Sequence, residues 1–154
     1  MNSFLNISVM PDTEKSHRST TAPILSVEQV SLTFPDGDSG LHVLDDISFS
    51  VESEEFVCIL GPSGSGKSTL LRVLAGLLPP SRGEVYYEGQ RLEGPRRVIG
   101  FVFQKANLMP WRTVLENITL PLELQKNSRS EARQKAREMI ELVGLEGFEE
   151  SLPR

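Results

Sequence analysis

Apolar and polar residues alternate through Val30-Ser31-Leu32-Thr33-Phe34 and again through Ile47-Ser48-Phe49-Ser50-Val51. That period of two predicts half-buried strands paired antiparallel. Pro35-Asp36-Gly37-Asp38-Ser39-Gly40 lies between them and has a loop's composition. The alternation then stops. Phe56-Val57-Cys58-Ile59-Leu60 is apolar throughout, the expectation for a central parallel strand covered on both faces. After Lys67 the period lengthens to that of a helix, with apolar residues at 70, 71, 73, 74, 77 and 78. This helix is expected to stop at Pro79-Pro80, because proline cannot continue the ladder.

Ser81-Arg82-Gly83 turns the chain into a short predicted strand over 84–87, which Glu88-Gly89-Gln90 ends. Ile99-Gly100-Phe101-Val102-Phe103 reads as a further strand with Gln104 at its end. Beyond it the pattern is helical. Ser128-Arg129-Ser130-Glu131 has capping-box spacing, and Ala132, Ala136, Met139, Ile140 and Val143 make one apolar stripe that Gly144 closes. Together these elements predict an α/β chain without internal repeats or low-complexity tracts.

At 154 residues the length fits one domain with a real core. The longest apolar runs are far too short to span a bilayer. Residues 1–10 lack the basic start of a secretory signal, and 16–21 read as a disordered polar lead-in. The single cysteine, Cys58, excludes an internal disulfide; its apolar surroundings suit a buried small hydrophobe and a reducing compartment. A net charge of −5 argues against a broad nucleic-acid face, and Arg96-Arg97 and Lys135 are too scattered to reverse it.

Candidate chemistry concentrates at Gly61-Pro62-Ser63-Gly64-Ser65-Gly66-Lys67-Ser68-Thr69, which satisfies G-x-x-x-x-G-K-[ST] between a predicted strand and a predicted helix. Glycines at 61, 64 and 66 let successive backbone N–H groups curl around a polyphosphate. The following helix adds the positive end of its dipole. Lys67 supplies a cation for the β and γ phosphates, and the Ser68 hydroxyl is a hard oxygen suited to Mg²⁺. A nucleoside triphosphate is the expected ligand. No Asn-Lys-x-Asp run is present to read guanine. Phe34, closing the first strand, is placed either to stack on adenine, worth about 1–3 kcal/mol per base, or to fill the core.

The segments containing Val30-Ser31-Leu32-Thr33-Phe34, Leu44-Asp45-Asp46-Ile47-Ser48-Phe49, the 61–85 stretch and the 100–118 stretch resemble the amino-terminal half of an ABC transporter ATP-binding subunit. Within that superfamily the Leu-Met-Pro-Trp-Arg-Thr-Val run at 108–114 is most similar to nitrate, sulfonate and taurine importers. The resemblance covers about 24–154. It implies a P-loop core of the ABC ATPase type with an antiparallel β subdomain, reaching to about 104, and the start of a helical subdomain from about 105, behind a disordered lead-in at 1–22. It further implies ATP and Mg²⁺ as cofactors, Phe34 as the adenine-stacking ring, 61–69 as the phosphate cradle, and Lys67 with Gln104 as catalytic groups. Ser68 and Gln104 would approach the metal, Gln104 also the attacking water. Leu108 and Trp111 would face a membrane permease, although Trp111 reads equally well as core. The implied partners are a second ATP-binding subunit, that permease and, indirectly, an extracytoplasmic solute-binding protein, at the cytoplasmic face of the membrane.

Departures from the family pattern are as specific. The Leu-Ser-Gly-Gly signature and an apolar run ending in Asp-Glu are absent, no aspartate follows Asp46, and no histidine follows His42. The expectation is therefore an incomplete chain whose parent hydrolyses ATP to drive import of a small solute. The rival expectation is an ATP-binding remnant or regulatory module without turnover.

Overall fold

The computed structural model describes residues 6–9, 22–36, 40–125 and 128–153. Its elements are β1 (Asn6–Val9), β2 (Leu25–Phe34), β3 (Leu41–Val51), β4 (Val57–Leu60), α1 (Lys67–Leu74), β5 (Arg82–Tyr87), β6 (Gln90–Arg91), α2 (Val114–Leu124) and α3 (Arg129–Leu142). They divide between two compact units, Met1–Phe101 and Val102–Arg154.

In the first unit β2 and β3 pair antiparallel, as their alternation predicts, inside a four-stranded sheet of order β3-β2-β5-β6. The pairing is not a plain ladder. Register shifts follow Val27, Val30 and Leu32, and the extra residues include Gln29 and Asp46, both at positive φ. Bulges of this kind leave backbone donors without a ladder partner. Serine hydroxyls take them: Gln29 N–H donates to Ser48 Oγ (2.8 Å) and Asp46 N–H to Ser31 Oγ (3.0 Å). The shifts also change the phase of the strand, so that Val27, Val30 and Leu32 are all buried. With Leu44 and Val85 they form a core against Leu70 and Val73 of α1.

Glu88 and Gly89, both at positive φ, reverse the chain so that β6 pairs back on β5, extending the sheet where the sequence suggested only an end. The helix α1 closes before Pro79-Pro80. Its terminator is Gly76 at φ 70°: Gly76 N–H donates to Val73 O and Leu77 N–H to Arg72 O, which satisfies the last carbonyls with a left-handed glycine. A side chain at Gly76 would also lie 2.4 Å from the Gly94 carbonyl oxygen.

Four other expectations need correction. The strand β4 is not a covered central parallel strand; its partner among the described residues is β1, antiparallel from Asn6↔Leu60 to Val9↔Val57, and Phe56 and Leu60 are exposed. Asn6–Val9 is thus a strand inside the 1–22 segment read as a disordered lead-in, whose residues 16–21 lie outside the described residues, as do 37–39 of the loop before β3. Cys58 on β4 is half-buried, not buried. Residues 99–103 form no strand, and Val102 within them is 96 % exposed.

The second unit is built on α2 and α3, which bury Leu115, Ala136 and Ile140 between them. Ser128 and Glu131 form the capping box that their spacing predicts. The Ser128 hydroxyl and N–H hold the Glu131 carboxyl below its ordinary range. Gly144 at φ 68° closes α3 with the same two-bond motif that ends α1. The buried stripe is narrower than expected: Ala132, Ala136 and Ile140 are buried, while Met139 and Val143 are exposed.

Candidate functional site

The strand β4 ends at Leu60 and α1 begins at Lys67, so the 61–69 segment occupies the strand-to-helix turn that its motif requires. Two glycines hold left-handed backbone, Gly64 at φ 81° and Gly66 at φ 91°. Nothing lies within 4 Å of the place where a Gly64 side chain would start, so its backbone faces open space. Gly66 is the opposite case. A Cβ there would lie 2.9 Å from Val43 O and 3.0 Å from Leu44 Cδ2, so the glycine lets the turn pack onto β3.

Gly66 is also the N-cap of α1. It offers no side-chain acceptor, and no acidic residue stands in the first turn. The first intrahelical bond runs from Leu70 N–H to Gly66 O at 2.8 Å, which leaves the earlier N–H groups for a ligand's oxygens. The Lys67 ammonium folds back over the loop and donates to Gly61 O (2.8 Å), Pro62 O (2.7 Å) and Ser65 Oγ (3.5 Å). Ser65 is buried, whereas Ser68 presents an exposed hydroxyl on the first turn of α1. This donor set fits a polyphosphate with Mg²⁺. Mg²⁺ usually takes only one or two protein oxygens beside phosphate and water, and no cluster of three or more His, Cys, Asp or Glu that could cage a metal occurs among the described residues.

Phe34 is partly buried and packs on the first unit's core, directly opposite Leu41 in the β2–β3 register. Gln104 belongs to the second unit and is exposed. So are Leu108 and Trp111, the latter 73 % exposed, which removes the reading of Trp111 as a core residue. A residue that the sequence patterns did not single out organises this loop. Asn117 on α2 accepts from Met109 N–H (2.8 Å) and donates to the carbonyls of Met109 (3.1 Å), Arg112 (2.9 Å) and Thr113 (2.9 Å). Thr113 and Glu116 add a second capping box, and the tail's Ser151 and Glu149 carbonyls take the Val114 and Leu115 N–H groups. The signal for that cap, Thr-x-x-Glu ahead of an apolar run, stands in the sequence.

A strand, a phosphate-type glycine turn and a helix N-terminus bearing Lys and Ser define a P-loop nucleotide-binding protein. The chain matches the family model described as ABC transporter over residues 44–154, and it belongs to that family. It is 42 % identical over 142 residues to an uncharacterized ABC transporter ATP-binding protein of Methanocaldococcus jannaschii, covering 92 % of this chain and 53 % of the relative. It is 41 % identical over 130 residues to an aliphatic sulfonates import ATP-binding protein of Bacillus cereus, covering 84 % of this chain and 51 % of the relative. Among solved structures, an ATP-binding cassette captured as a dimer in a post-hydrolysis state with ADP and Pi superposes with TM-score 0.71 at 31 % identity, over 84 % of this chain and 61 % of that chain. The expected fold class, a P-loop core of the ABC ATPase type, therefore holds. The chain spans about half the length of the curated relatives it matches.

Proposed function

We propose that this chain is the nucleotide-binding part of an ATPase subunit that powers a membrane transporter. The observation that carries the reading is the 61–69 turn, where left-handed glycines, an uncapped helix start and the inward-folded Lys67 converge. Lys67 would exchange its bonds to the Gly61 and Pro62 carbonyls for β- and γ-phosphate oxygens, and the first-turn N–H groups would take the rest of the phosphate charge. Ser68 would hold Mg²⁺, which when bound supplies Lewis-acid stabilisation of the transferring phosphoryl group. Phe34 would stack on the adenine. Gln104 is assigned by its motif to the metal and the attacking water.

The partners on this reading are a second copy of the subunit and a membrane permease met through Leu108 and Trp111, whose exposure supports the assignment. Such a subunit would sit on the cytoplasmic face of the membrane; no helix among the described residues is long and apolar enough to cross it. A small solute imported in the manner of nitrate, taurine or a sulfonate is favoured by the 108–114 run and by the sulfonate-import relatives. Deleting the gene in its source organism and following uptake of labelled nitrate, taurine and methanesulfonate tests the import role. Loss of uptake of one of them supports it, and normal uptake of all three removes the solute class.

A further inference from the structure

The end of β2 that carries Phe34 is held from both sides. Thr33 N–H donates to Ser81 Oγ at 3.1 Å, and Thr33 Oγ1 meets His42 Nδ1 at 2.5 Å across the β2–β3 pair. On the other side of the ring, His42 Nε2 lies 3.4 Å from Asp45 Oδ1. The pairing here skips one residue. Leu32 faces Leu44 and Thr33 faces His42, which leaves Val43 as the extra residue of a bulge. The carbonyl of that residue is the group against which Gly66 of the phosphate loop packs. Three consecutive residues of β3 therefore join both ends of the nucleotide site: Leu41 opposite Phe34, His42 bonded to Thr33, and Val43 against Gly66.

We propose that the Thr33–His42 pair is a positioning device that fixes the spacing between the Phe34 ring and the phosphate loop. The proposal rests on the reading of Phe34 as the base-stacking ring. Its physical basis is register. A bulge can migrate by one residue at small cost unless local contacts pin it, and migration turns side chains to the other face. Moving the bulge from Val43 to His42 would re-aim the end of the strand opposite Phe34. The His42 bond to Thr33 opposes that shift, and Ser81 keeps Thr33 from following it.

Calorimetric titration of the purified protein with MgATP and, separately, with magnesium tripolyphosphate tests this, because tripolyphosphate has phosphates and no base. Phe34→Ala should weaken MgATP and leave tripolyphosphate unchanged. His42→Ala and Thr33→Val should each weaken MgATP by roughly two- to tenfold, the range set by one hydrogen bond, again with tripolyphosphate unchanged. His42→Asn, whose amide reaches the position of Nδ1, should restore MgATP affinity. If Phe34→Ala matters while both His42→Ala and Thr33→Val leave MgATP affinity intact, the positioning role is wrong and base stacking stands. Loss of both ligands together in Thr33→Val also overturns it, since that is the mark of general support for the fold. An unaltered MgATP affinity in Phe34→Ala overturns the stacking reading itself, and the positioning role with it.

Discussion

Two glycines of one loop should respond differently to the same substitution. Gly64 and Gly66 both hold left-handed backbone, at φ 81° and 91°, so alanine at either costs about 1–2 kcal/mol in conformational strain. Both also gain the same small stabilisation from a stiffer unfolded chain, which cancels in the comparison. The surroundings differ. At Gly64 the new methyl meets nothing within 4 Å, whereas at Gly66 it lies 2.9 Å from a backbone carbonyl and 3.0 Å from Leu44, among the most buried side chains of the first unit. Neither neighbour at Gly66 is the loose end of an exposed side chain, so overpacking of about 1–3 kcal/mol is added there. Gly66→Ala should therefore melt lower than Gly64→Ala by roughly 2–12 °C, at about 2–4 °C per kcal/mol for a chain of this size. Differential scanning calorimetry of the two variants beside the parent measures it. Equal melting points, or a lower one for Gly64→Ala, would refute the packing of the loop on β3.

Trp111→Ala should leave the melting temperature within about 2 °C, as expected for an exposed side chain, and leave the subunit's ATPase unchanged, yet reduce transport in the reconstituted system. Interface anchors of this kind often contribute 2 kcal/mol or more, roughly thirtyfold in affinity; a parallel fall in stability and ATPase would count against the contact. Glu131, held below its ordinary range by Ser128, should stabilise the start of α3 above the unfolded carboxylate pKa and lose that effect as pH falls through its folded value. Carboxyl NMR should show a midpoint below that of a free glutamate side chain, and Ser128→Ala should raise it; a midpoint unmoved by Ser128→Ala would contradict the cause.

Features decided by neighbouring residues are legible in the sequence alone. The 61–69 turn, the Ser128–Glu131 cap and the Gly144 terminator are each set within a few positions, and each stands where its spacing places it. Gly76 is equally local: it ends α1 three residues ahead of the Pro79-Pro80 pair that marks the limit of the helical pattern. The failures lie where distant chain decides. Residues 99–103 have a strand's composition and no ladder, and β4 has a central strand's composition but pairs with a short segment from far back in the sequence. The bulges of β2 and β3 leave almost no local trace, since the serines that satisfy them are fifteen and nineteen residues from the donors they serve. Asn117 escaped for a similar reason. Its role depends on a loop up to eight residues away folding back onto α2.

On the function proposed above, the 61–69 turn grips the phosphates of MgATP through Lys67. Equilibrium titration with a fluorescent ATP analogue, in Mg²⁺, on the parent protein and on Lys67→Ala tests it most directly. Saturable binding that the substitution abolishes is the expected result, because the phosphates lose the ammonium that now lies on Gly61 O and Pro62 O. Equal affinity in the two proteins would contradict it.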